Sequence, residues 1–150
     1  VPIILLQYAY SFAVLATLAY AIWRGGVPEI AGAVIMAMGS FLTPIAVGSL
    51  YPKWNSAEPA IALVDLVAFA AFAILALKSD RFWPIWTTSF LVPVLAIHIV
   101  KLLGHTTTGA ALSNSQVFWA YLMIVSIIFG VRSHVGSGRA PAIQTRRERR

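Results

Sequence analysis

Residues 58–78 read EPAIALVDLVAFAAFAILALK. Between Ala60 and Leu77 the only charge is Asp65. A helix that spans a bilayer takes about 20 apolar residues, within a range of roughly 17–25. The apolar run is continuous and does not alternate, so it reads as a helix and not as a barrel strand. Glu58 and Pro59 suit a helix start, where the first amides are free and the dipole end is positive. Lys78 and Arg81 follow its end.

Four similar stretches lie on either side. The spans are expected at about 3–23, 30–50, 60–77, 82–103 and 115–131. Arg24-Gly25-Gly26 closes the first as a tight turn, and Pro28-Glu29 opens the second. Gly104 stops the fourth and Arg132 the fifth, which Asn114 or Ser115 would cap. The expected fold is all-α: an integral membrane bundle of five transmembrane helices with short loops. We expect a transmembrane domain over 1–132 and a disordered basic tail over 133–150, which holds too few apolar residues for a core. The first span is read as retained, because no basic stretch precedes it as in a signal peptide.

Composition agrees. Hydrophobic residues make up 59% and charged residues 11%, against about 25% charged in a soluble domain. The absence of Cys excludes disulfides, thiolate metal sites, iron–sulfur clusters and thiol catalysis. Six of the eleven Lys and Arg residues fall at or after Arg132. With the N-terminus outside, only Lys53 and Lys101 face out, and the other nine basic residues face in. The excess of inner positive charge therefore predicts an N-out, C-in topology. Trp23, Trp83 and Trp86 are expected at the inner interface, and Tyr8, Tyr51, Trp54 and Trp119 at the outer one. Arg139, Arg146, Arg147, Arg149 and Arg150 would anchor the tail to anionic lipid or dock a partner. Nucleic acid is not an expected partner, since no binding module accompanies the charge.

Asp65 is the informative polar residue. An acid inside the bilayer is costly and needs a partner or water. The fourth span runs back outward, so His98 and Lys101 come to similar depth. Gln7 and Ser11 on the first span, and Ser40 and Thr43 on the second, reach the same outer half. The inner halves of the first, third and fifth spans read as almost wholly apolar, and Thr87, Thr88 and Ser89 are the main inner exception. Pro93 is expected to bend the fourth span below His98. Two readings follow. In one, Asp65 and Lys101 form a structural ion pair, with His98 hydrogen-bonded nearby. In the other, the group is a ligand or proton site: Asp65 the carboxylate, His98 the titrating group, Lys101 an anion contact, with Gln7 and Thr43 near them.

A zinc site is not expected, because His98 and His105 lack the four-residue spacing with an acid between. No cofactor is expected, although one histidine, His98, leaves a single-His haem or chlorophyll open. No nucleophile, paired carboxylate or phosphate loop stands in recognisable context. Ala33 with Ala37, Ala9 with Ala13, and Gly39 with Thr43 are four apart and would let helix backbones approach.

Residues 23–29 (WRGGVPE), 78–86 (KSDRFWPIW) and His98 resemble small multi-span membrane proteins of alphaproteobacteria, a family without an established activity. The resemblance implies an inner-membrane location. Size and helix count are also similar to the tryptophan-rich sensory protein family, but Lys53-Trp54 alone does not match its Trp-rich segments. The expected function is non-enzymatic: an accessory or structural subunit beside other subunits of a larger membrane assembly. The alternative is a small-ligand or proton-coupled binding or transport protein with its polar site at Asp65, His98 and Lys101.

Overall fold

The computed structural model describes the backbone of residues 3–54, 58–103 and 109–137, with side chains over 8–48, 59–103 and 116–137. Five helices make up nearly all of it: α1 (Ile3–Arg24), α2 (Val27–Trp54), α3 (Glu58–Lys78), α4 (Trp83–Leu102) and α5 (Gly109–Ser137). Four of them hold stretches long and apolar enough to cross a membrane: Val27–Gly48, Pro59–Lys78, Trp83–Leu102 and Gln116–Ser137. Large apolar side chains are exposed on every helix, among them Phe12, Phe41, Val67, Val92 and Phe129. A surface of this kind suits lipid and not water. The chain is thus a multi-pass helical membrane protein.

Consecutive helices pack in order, and α5 closes back on α1 and also touches α2. The bundle is therefore a five-membered ring. Its core includes Val14, Met36, Phe72, Leu91 and Ile127. Ala33 and Ala37 are buried there, which agrees with their reading as close-packing positions.

All helices but the fourth run further than the expected spans. The second begins at Val27 instead of Ile30, and the fifth covers Gly109–Ser137 instead of 115–131. Hydropathy marks where lipid ends, but the backbone keeps its hydrogen bonds into the interface. At the end of α5, Ser137 Oγ donates to Ser133 O at 2.9 Å. His134 is held by Arg81. Residues 133–137, expected in the tail, are thus helical; the remainder of the tail lies outside the described residues. The fourth helix continues through Pro93.

The α1–α2 turn is built on glycine. The Gly25 amide donates to Ala21 O at 2.8 Å, and a Cβ at Gly25 would lie 2.6 Å from that oxygen. Gly26 caps α2: its carbonyl accepts from the Ile30 amide at 3.0 Å. Glu29 reaches back so that its Oε2 accepts from the Gly26 amide at 3.0 Å. This is the acidic half of a capping box.

Trp83, expected with Trp23 and Trp86 at the inner interface, is packed differently from them. It is buried, whereas Trp23 and Trp86 are exposed. A Cβ at Gly32 would come within 2.2 Å of its Cη2, and one at Gly130 within 2.5 Å of its Cδ1. The indole of α4 thus fills a notch between a glycine of α2 and a glycine of α5. Its N–H has a buried acceptor in Glu29, so the ring has no need of interfacial water.

Candidate functional site

Two polar groups lie at opposite ends of the ring. The first is at the Asp65 end. Asp65 stands on α3 about two turns from its start. Its Oδ2 is 2.8 Å from His98 Nε2, and the His98 ring is only 2% exposed. Gln116 on α5 joins them, with its amide nitrogen 3.3 Å from the same His98 nitrogen. Lys101 donates to Gln116 Oε1 at 3.4 Å.

An ionised Asp65 accepts from a protonated Nε2, and that is the shorter contact. The same nitrogen then has no lone pair for the Gln116 amide, which lies beside it without donating to it.

Beside this cluster lies a cavity of about 390 Å³ to which all five helices contribute. Its polar lining comprises Tyr10, Ser40, Thr43, Asp65 and Gln116. Phe72, Leu91 and Met123 are among the apolar residues deeper in. The size falls within the usual range for small-molecule pockets, about 300–1,000 Å³. Each hydroxyl is engaged. Ser40 Oγ donates to Met36 O at 2.9 Å, and Thr43 Oγ1 to Gly39 O at 2.8 Å. Tyr10 OH lies 2.9 Å from Ser40 Oγ. Since the single Ser40 proton is spent, Tyr10 is the donor.

Of the residues expected here, Asp65, His98 and Lys101 do come together, through Gln116. Thr43 lines the cavity, while Lys101 and His98 are not among its described lining. The side chain of Gln7 lies outside the described residues, as do His105 and the five tail arginines. Gln116 and Tyr10 were missed. Gln116, next to the cap candidates Asn114 and Ser115, carried no role in the sequence reading, although its depth matches that of His98 once α5 is followed outward. Haem or chlorophyll at His98 would meet a buried ring whose Nε2 is already committed to Asp65. Among the described residues no cluster of His, Asp and Glu could hold a metal ion.

The second group is at the other end of the ring. Glu29 is fully buried. Its Oε1 accepts from Trp83 Nε1 at 3.1 Å and lies 3.8 Å from Arg81 Nε. Arg81 Nη2 is 2.9 Å from His134 Nδ1. Arginine only donates, so Nδ1 accepts and the proton of a neutral His134 sits on Nε2. One turn deeper, Ser126 Oγ donates to Trp83 O at 3.0 Å, and Thr87 Oγ1 lies 3.1 Å from Ser126 Oγ. Ser126, on the fifth span, is the polar residue of this group that the expectation of an almost wholly apolar inner half did not include. Glu29 looks like a helix-start acid in the sequence, and nothing local points to Trp83, 54 residues on. Every oxygen of this group is engaged with protein, so it ties helices together.

No protein-family model, curated protein or solved structure matches the chain. The likeness to small alphaproteobacterial membrane proteins therefore stands on its quoted residues alone. Beyond that, the chain is a multi-pass helical membrane protein with two buried polar clusters and a cavity beside one of them.

Proposed function

We propose that the chain crosses the bacterial inner membrane five times, N-terminus out and C-terminus in, and binds a small ligand in the cavity at its outer end. The carrying observation is the 390 Å³ cavity with Asp65 in its wall. A carboxylate 25% exposed inside a membrane bundle is costly unless it meets water, a proton or a ligand. His98 orients it. The orientation in the membrane is supported by the charge count, with nine basic residues on one side and two on the other. The tail arginines Arg139, Arg146, Arg147, Arg149 and Arg150 would then meet the anionic cytoplasmic leaflet.

Filling the cavity tests this reading. Ala120 lines it, and Ala120→Leu should remove bound small molecules seen by native mass spectrometry after gentle extraction. Equal occupancy in the variant would overturn it.

A second reading is the accessory, non-enzymatic subunit of a larger membrane assembly. The observation favouring it is an aromatic seam on α4 and α5. Trp86 and Phe129 stack with centroids 6.2 Å apart, and both rings are more than half exposed. A stoichiometric protein partner after mild detergent extraction, lost in Trp86→Ala, would support it.

A further inference from the structure

We propose that the ligand of this cavity is a lipophilic amine: an apolar body carrying a protonated amino group that Asp65 receives. The inference rests on the binding reading above and specifies its chemistry. Three observations on the lining carry it.

The first is the sign of the wall. Asp65 is the one charged residue among the described lining, and neither Lys101 nor any arginine is included. Lys101 is turned to Gln116 Oε1, so the described wall offers no cation to an anionic ligand. The second is the direction of the hydrogen bonds. Ser40 and Thr43 have spent their protons on helix carbonyls, and Tyr10 has spent its own on Ser40. These groups present lone pairs to the cavity. Asp65 presents the oxygen that His98 does not hold. Gln116 is the exception: its amide nitrogen lies beside a His98 Nε2 whose proton is given to Asp65, so it keeps its N–H donors. A wall mostly of acceptors, with one carboxylate, is matched by a ligand that donates. The third is the apolar remainder, with Phe72, Leu91, Val94 and Met123 deeper in the cavity. An ion small enough to stay fully hydrated would leave those contacts unused.

The acceptor geometry also accounts for selectivity. A hydrogen bond to an ionised carboxylate in a site of low dielectric is stronger than one between neutral groups. An anion of the same shape meets repulsion and unpaired acceptors.

The test uses three probes of one shape: 1-aminoadamantane, 1-adamantanol and adamantane-1-carboxylate. The full chain is placed in nanodiscs of zwitterionic lipid, and binding of tritiated 1-aminoadamantane is measured with the other two as competitors. The amine should bind at least about tenfold more tightly than the alcohol, a margin expected for one charge-assisted hydrogen bond. The carboxylate should compete more weakly still. In Asp65→Asn the amine should lose that margin while the alcohol binds as before. Equal binding of amine and alcohol in the unaltered chain would overturn the amine assignment and leave the cavity reading standing. Absence of binding by all three would overturn both. The order of the three probes in the unaltered chain decides the question even if Asp65→Asn does not fold.

Discussion

Glu29 and Asp65 are both acids in an apolar bundle, but they stand in opposite situations. Glu29 has both oxygens engaged and no exposure. Asp65 has one oxygen on His98 and faces the cavity. Glu29→Ala strands the Trp83 indole N–H and the Gly26 amide. It should cost about 1.5–3 kcal/mol, the worth of a hydrogen bond to a charged group, read as a lower Tm in detergent. Glu29→Gln keeps one acceptor and should lose less. In Asp65→Asn the side-chain carbonyl can still accept from His98, so the cost should be roughly 1 kcal/mol or less. If Asp65→Asn proves more destabilising than Glu29→Ala, Asp65 is a strut and not a recognition group. The Asp65–His98 meeting was legible in the sequence by counting depth along antiparallel spans. The Glu29–Trp83 meeting was not, because each residue already had a sufficient local explanation, one as a helix-start acid and the other as an interfacial indole.

Among the elements, α2, α4 and α5 are joined by one side chain. The Trp83 ring fills the space that side chains at Gly32 and Gly130 would occupy. Gly32→Ala and Gly130→Ala should each cost about 1–3 kcal/mol by overpacking. Trp83→Leu removes the obstacle, so Gly32→Ala combined with Trp83→Leu should cost less than the sum of the two. A double-mutant cycle on thermal unfolding measures that difference. Additive effects would show that the glycine is not there for the ring. The helices were legible as elements because their apolar runs are long and continuous. Their ends were less so. The fifth runs to Ser137 because His134 is held by Arg81, a contact across 53 residues that hydropathy does not register.

For the whole molecule, the proposed topology has a direct test. The chain has no Cys, so single cysteines can be introduced on a clean background. A membrane-impermeant maleimide on intact cells should label Lys53→Cys strongly and Ser137→Cys only after lysis. The reverse pattern would invert the bundle and place the Asp65 cavity on the cytoplasmic side. The sequence by itself determined that this is a helical membrane protein and in what order its helices follow. Lipid demands that each spanning backbone satisfy its own hydrogen bonds, and only continuous apolar helices of sufficient length do so here. It also determined the depth of each polar residue, since depth is a count along a helix. Only the tertiary structure decided which of those residues meet, and that a cavity opens beside Asp65 while Trp83 is sealed against Glu29. Helices that are apolar on nearly every side have no strong face to set their rotation. Contacts between neighbours set it: an indole against two glycines, a carboxylate on an imidazole.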